Sequence, residues 1–289
     1  MRVSVSWPGA LAALAALLLG GLAGGRASAA VSLNPIFRSN MVLQRGMTCP
    51  VFGDGDAGST VTVQFQNQTV STVVSSNGKW QANLGSMSAS ASPSTLTVSA
   101  TGSPSIALTG VQVGEVWLMS GQSNMGFPLS NANDSAPYIA DAGNHNIRLF
   151  RMTAGSGPAT SSWQISDPAT ADDFSAVGYW AGLELSLKLG VPVGLIQATH
   201  DGTNISEWET SNGGTGADYL AMVKAVQPFA VRGVGWYQGE SNGGVAAPKA
   251  VRYGFSAGAN LSNNVSIPTE GGASTVTRLP GSLFELKFP

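Results

Sequence analysis

The sequence predicts an α/β fold preceded by a small antiparallel β-sandwich, and three observations carry that prediction. Short β-branched runs separated by turn residues fill residues 30–109, the spacing expected of small antiparallel sheets. From Val111 onward, nearly continuous apolar runs alternate with stretches of helical periodicity, as in parallel βαβ units. Ser123, Gly202 and Gln238 each follow one of those apolar runs, at the carboxyl ends of strands where open parallel sheets collect their binding sites.

Residues 1–29 read as a targeting segment. Arg2 gives a positive start, Leu11 to Leu22 is rich in Ala and Leu, and Ala27-Ser28-Ala29 offers a small-residue cleavage pattern, the features of a secretory signal. The apolar stretch is short of the roughly 20 residues a membrane span needs. A cleaved signal, a secreted or lysosomal location and no membrane partner after cleavage are therefore expected. Sequons at Asn67, Asn133, Asn204, Asn260 and Asn264 are acceptors if the host glycosylates. The single cysteine, Cys49, excludes an internal disulfide and reads as a small buried side chain.

In residues 30–109 the strands are expected around Val61 to Phe65, Thr69 to Val74 and Thr95 to Val98, with Asn77-Gly78 and Pro93 between them. Gly53 to Gly58 is acidic, but Phe65 stands where a calcium loop needs its final glutamate, so a plain turn is expected. The α/β domain is placed at residues 110–244. Its first strand covers Val113 and Val116 to Met119 and breaks at Gly121. A helix is expected over Ala181 to Leu189, ended by Gly190, then a strand over Val191 to Ile196. Tyr219 to Val226 is expected to be helical, halted by Pro228, and Val231 to Tyr237 to be a buried strand. Residues 245–289 are expected to form a C-terminal β tail.

Composition narrows the function classes. Of 289 residues, 43% are apolar and 10% charged, the latter well below the roughly 25% usual in soluble proteins. A net charge of −2 without a basic stretch gives no electrostatic reason to bind nucleic acid.

Ser123 is the best nucleophile in the chain. It follows a buried strand and precedes a helix, where unpaired backbone N–H groups favour a developing oxyanion. Met125 stands where the G-x-S-x-G elbow needs its second glycine, so an α/β-hydrolase is not indicated.

Gly114 to Phe127, GEVWLMSGQSNMGF, resembles the first block of the sialate O-acetylesterase family, a branch of the SGNH (GDSL-like) hydrolases. Three further segments are similar to that family in the same order: Leu33 to Gly46 to its opening, Gly194 to Trp208 (GLIQATHDGTNISEW) to its second block, and Trp236 to Asn242 (WYQGESN) to its third. The resemblance implies a three-layer α/β/α, flavodoxin-like SGNH domain. It also implies a serine esterase that removes acetyl groups from sialic acids or other acetylated carbohydrates, with no metal or organic cofactor.

Carried over residue by residue, the resemblance makes Ser123 the nucleophile. It puts the backbone N–H of Ser123 and of Gly202 in the oxyanion hole and adds the side-chain amide of Gln238. Asn242 is a runner-up donor and substrate contact. Trp208, read as a substrate contact, would stack on a sugar with Trp236 and Tyr237 if the chain is a sugar-binding protein, although such aromatics are more often core residues. Asn124 is expected to cap the helix after Ser123, and Glu240 to orient Gln238 or cap the next turn.

No general base is identified. In the family, histidine and aspartate arrive together in a D-x-x-H-like element downstream of the third block, whereas no histidine follows Asn242 here. Ala250 to Leu261 resembles the closing strand of complete members, so a central portion is expected to be missing, the domain incomplete and activity impaired. His200 is the only local substitute base, read first as a spacer or substrate contact. His145 is read as a loop residue, and Asp201 as a turn residue. The alternatives are a non-catalytic carbohydrate-binding protein and a fragment with an exposed sheet edge.

Overall fold

A computed structural model describes residues 30–210 and 213–242, and the backbone of 252–257. The expected leader, the sequons at Asn260 and Asn264 and most of the expected C-terminal tail lie outside the described residues.

The first part of the chain builds two small sheets. β1 (Ser32–Leu33), β3 (Cys49–Asp54) and β6 (Lys79–Leu84) pair antiparallel in the order β1-β3-β6. The other sheet runs β5 (Gln68–Val73), β4 (Thr60–Phe65), β7 (Ser90–Ala100) and the first half of β8 (Ser103–Gly121), with β2 (Val42–Gln44) parallel to β8. Alternation along β4 and β6 turns Val61, Val63 and Phe65 toward Trp80, Ala82 and Leu84 in a shared core, as the period of two dictates. Cys49 is buried there; burial pushes its thiol up to about 12, while Sγ donates to the Gln44 carbonyl at 3.0 Å.

β8 is 19 residues long and joins the two parts of the molecule. It is mostly open to solvent as far as Gly110, then buried on both faces from Val111 to Gly121. The boundary expected between residues 109 and 110 is thus a change of surroundings within one strand.

The second part comprises α1 (Ser123–Gly126), α2 (Ala136–Ala140), β9 (Ile147–Thr153), β10 (Trp163–Ile165), α3 (Pro168–Asp172), α4 (Ala176–Leu189), β11 (Val193–Thr199), β12 (Gly233–Gln238) and β13 (Arg252–Ala257). Parallel strands lie in the order β9-β11-β8-β12, with β10 antiparallel outside β9 and β13 antiparallel outside β12. Among the described strands β11, rather than β9, adjoins β8. All seven residues of β11 are buried, which suits it to the inner place between two neighbours. β9 carries the exposed Arg151 and takes the outer one.

α4 covers one face of this sheet. Ser175 caps it by accepting from Gly178 N, and Gly190 ends it in the left-handed conformation. The opposite face is covered by Met222, Val223, Val226 and Phe229, with Ile36 and Phe37 of the first part. The helix expected over Tyr219 to Val226 is present, as a π-helix over Tyr219–Val223 continued by a 3-10 turn, Lys224–Val226. A segment this short takes its hydrogen bonding from the burial of Met222, Val223 and Val226, not from its own helical periodicity.

Candidate active site

The carboxyl ends of three parallel strands finish in register. Thr199 of β11 is paired with Gly121 of β8, and Gly121 with Tyr237 of β12. Two backbone hydrogen bonds extend the alignment: His200 N donates to Gly121 O at 3.1 Å and Gln122 N to Tyr237 O at 3.0 Å. Gly121 has φ +140°, and a Cβ there would stand 2.0 Å from Tyr237 O. Only glycine permits that approach.

Two residues on, Ser123 begins α1 and is half-buried. As the first helical residue it has no acceptor for its N–H within the helix. α1 spans only four residues, so what it offers an anion is individual N–H groups and little macrodipole. Gly202, two turn residues past His200, is exposed with φ +73° and open space where a Cβ would lie. Its N–H has no hydrogen-bond partner among the described residues.

Gln238, expected to donate into an oxyanion hole, is 2% exposed and already engaged. Its Nε2 donates toward Thr203 O and Asn242 Oδ1, both at 3.2 Å, and toward Gln122 Oε1 at 3.3 Å. Three acceptors leave its two N–H groups none to spare. Asn242 is placed differently. Its Oδ1 accepts from Ile205 N at 2.9 Å and from Gln238, which fixes the amide plane and leaves Nδ2 without a partner among the described residues. Gln122 completes the lattice by accepting from Gly239 N and Ser241 N.

Trp208 is corrected from stacking surface to core residue. It is 1% exposed, its indole N–H donates to Thr203 Oγ1 at 2.9 Å, and its ring meets Trp236 edge-on at 5.3 Å. Trp236 and Tyr237 are half-buried. Asn124 does not cap α1; it donates to Glu240 Oε1 at 2.5 Å, and that pairing takes up the carboxylate expected to orient Gln238. Asp201 is exposed in the turn, with Oδ1 beside α1 at Gly126.

The histidines lie at opposite ends of the sheet. His145 precedes β9 and pairs with Asp141 at 2.7 Å, at the amino end. His200 follows β11 at the carboxyl end, and its Nδ1 meets Asp218 Oδ1 at 2.9 Å and Oδ2 at 3.1 Å. The Asp218 side chain is 5% exposed and that of His200 39%. Sequence reasoning missed Asp218, which lies 18 residues from its partner in an unremarkable G-A-D-Y stretch. Among the described residues, no three His, Cys, Asp or Glu side chains cluster to hold a metal ion, and no helix is long and apolar enough to cross a membrane.

Residues 113–254 match the family model described as carbohydrate esterase, sialic acid-specific acetylesterase. The structure is similar to that of a novel carbohydrate acetylesterase from Xanthomonas citri, with a TM-score of 0.67 and 30% identity over 75% of this chain and 52% of that one. This chain therefore spans about half the length of that relative. A protein from Arabidopsis thaliana is matched at 20% identity and a TM-score of 0.30 over 44% of this chain and 58% of that one, too loosely to bear on fold or function. No curated protein matches the chain.

Proposed function

We propose, on the match of residues 113–254 to the sialic acid-specific acetylesterase model of carbohydrate esterases and the likeness to a carbohydrate acetylesterase, that the chain is a serine hydrolase removing O-acetyl groups from acetylated carbohydrates, sialic acids among them. The observation that carries the reading is the common register of Gly121, Thr199 and Tyr237. The loops bearing Ser123, Gly202 and Asn242 all start from that line.

In this reading Ser123 Oγ attacks the acetyl carbonyl, and the oxyanion is received by the N–H groups of Ser123 and Gly202 and by Asn242 Nδ2. Gln238 holds Asn242 and does not itself touch the substrate. Acetyl-serine is then hydrolysed by water. The family's D-x-x-H element has no counterpart after Asn242 in this sequence, so turnover below that of complete members is expected. The alternative of a non-catalytic sugar-binding protein loses one support, since Trp208 is buried. The proposal takes the three-layer α/β/α domain and the preceding antiparallel sandwich as its architecture. It extends to a secreted or lysosomal glycoprotein, which rests on the leader-like residues 1–29 and the sequons alone.

The test is hydrolysis of 4-nitrophenyl acetate and of an O-acetylated sialic acid by the protein and by Ser123→Ala. Wild-type turnover at least about 10²-fold above the variant is expected, short of the roughly 10⁶-fold lost when a full triad loses its serine. Equal rates would refute the reading. Acetate release from acetylated xylan, run in parallel, decides the sugar class.

A further inference from the structure

We propose that Asp201 is a specificity-determining residue of the candidate site: its carboxylate receives hydroxyl groups of an uncharged acetylated sugar and repels anionic ones, so that neutral saccharides are favoured over sialic acids. The inference rests on the esterase reading of Ser123 and narrows it to one class of sugar.

The turn after β11 places the carboxylate. Thr199 ends that strand level with Gly121, His200 N donates to Gly121 O, and Asp201 follows, with Gly202 next in the chain. A Cβ on Gly126 would lie 3.3 Å from Asp201 Oδ1 and 3.0 Å from Thr199 Oγ1. The carboxylate thus rests against the last residue of α1, the helix that Ser123 begins. At 1.5 Å of rise per residue the four-residue helix is about 6 Å long, so Asp201 stands close to the nucleophile's own backbone and directly beside the open N–H of Gly202.

The side chain is also uncommitted. It is exposed and has no hydrogen-bond or ion-pair partner among the described residues. Its acidic neighbours are engaged within the protein: Asp218 with His200, Glu207 with Thr215 Oγ1, and Glu240 with Asn124. An ionised carboxylate only accepts, and hydrogen bonds to it are about twice as strong as neutral ones. Sugar hydroxyls are the matching donors.

The surrounding charge has one sign. Residues 122–127, 200–218 and 239–242, which follow β8, β11 and β12, contain five acidic residues and no lysine or arginine. Glu240 accepts from Asn124 at 2.5 Å, next to Ser123. Since β11 and β12 flank β8, Asp201 and Glu240 approach the loop of Ser123 from its two sides. A sialic acid brings a carboxylate of its own into this field, where like charge costs binding and slows encounter. A neutral sugar brings only hydroxyls. Repulsion built into a site is one of the two ways of separating ligands that share the reacting group.

The experiment uses the full chain with an acetylated xylo-oligosaccharide and an O-acetylated sialic acid. It compares kcat and KM of wild type, Ser123→Ala, Asp201→Asn, Asp201→Lys and Glu240→Gln at low and high salt, each with a thermal melt. Calorimetric binding of both sugars to Ser123→Ala reads the same preference without turnover. Wild type is expected to favour the neutral sugar in kcat/KM by at least about 10-fold at low salt. Asp201→Asn should narrow that ratio several-fold, chiefly by lowering KM for the sialic acid, and Asp201→Lys should narrow it further. Salt should raise kcat/KM for the sialic acid in wild type and do so less in Asp201→Asn, because screening weakens only charge. A purely structural role would move both sugars alike. Wild-type turnover equal to Ser123→Ala on both sugars would overturn the esterase reading and this inference with it. Ser123-dependent turnover that favours the sialic acid, or a folded Asp201→Asn with the substrate ratio and salt response of wild type, would overturn the inference alone. If the Asp201 variants do not fold, sialic acid binding to Ser123→Ala that is as tight as that of the neutral sugar and indifferent to salt would do the same.

Discussion

The two ends of the parallel sheet are built on opposite principles. At the amino end the chemistry is charge against charge: Glu115 on β8, 4% exposed, is gripped by Arg45 Nε at 2.6 Å and Arg232 Nε at 3.0 Å. That cluster ties the turn after β2 and the approach to β12 to the central strand. At the carboxyl end the work is done by neutral amides, and these divide into two sets. Gln122 and the amide nitrogen of Gln238 are engaged inside the protein, while Ser123 N, Gly202 N and Asn242 Nδ2 have no partners among the described residues. One end uses polar groups to hold strands together. The other holds one set of amides by hydrogen bonds and leaves another free, and under the proposed esterase reading the free set would be donors preorganised for charge that develops during reaction.

The contrast is broken most sharply by separating aiming from donating. Asn242→Asp keeps an oxygen to accept from Ile205 N and Gln238 but removes the donor. A fall in kcat of about 10²–10³-fold is expected, the usual cost of one lost oxyanion donor, with the melting temperature little changed. Gln238→Ala should act in the other register, costing about 1–3 kcal/mol of stability because buried acceptors lose their partner. If Gln238→Ala lowers kcat at native stability, and Asn242→Asp does not, the roles are reversed. Steady-state kinetics beside thermal melts on both variants decides it.

Glu115→Ala tests the amino end. Removing the carboxylate leaves two guanidinium groups facing each other, each about one third exposed. A loss of about 3 kcal/mol is expected, the low end for a broken buried pair because water reaches both arginines. Denaturant unfolding reads the loss, and kcat measured well below the melting transition should stay within about twofold, since effects at sites this far apart with no shared partners are independent. A large kcat effect at native stability would mean that the two ends are coupled.

What the sequence disclosed follows from how local each feature is. The strand end that precedes Ser123 was legible because a buried strand announces itself as a continuous apolar run, and Gly121 marks its end. The family match over residues 113–254 was legible for the same reason, as ordered words around strand ends. The engagement of Gln238 was not, because its partners Gln122 and Thr203 lie 116 and 35 residues away and nothing in Q-G-E-S-N records them. Asp218 was hidden likewise, its pairing with His200 created by a loop that folds back on β11. Strand order could not be read from the sequence, because it depends on where connections cross, and β9 reads much like β11 except for its arginines. Trp208 stands between core and platform in the sequence because an indole beside a predicted loop suits both, and burial decides for the core.

The smallest effect sits on the periphery of the α/β part, where charge again performs a local task. Asp167 caps α3, accepting from Thr170 N at 2.8 Å while Thr170 Oγ1 accepts from Asp167 N, a reciprocal box. The backbone N–H of Thr170 is the first cause holding the Asp167 carboxyl below its ordinary range, with further hydrogen bonds from the Thr170 side chain and Ala169. A carboxyl depressed on folding contributes stability above its unfolded pKa of about 3.9 and loses it as pH falls through the lower folded value. Asp167→Asn keeps a good cap without a titrating group, so its melting temperature at neutral pH should match wild type and then fall less as pH drops below about 4. Asp167→Ala should melt slightly lower at neutral pH, a shift several-fold smaller than that of Glu115→Ala, and converge on wild type in acid. Melting curves of the three proteins from neutral pH into acid read this directly. An Asn variant that parallels wild type throughout would remove Asp167 from the acid response and leave it to other depressed carboxyls, of which Asp141 beside Asn144 and His145 is the first to examine.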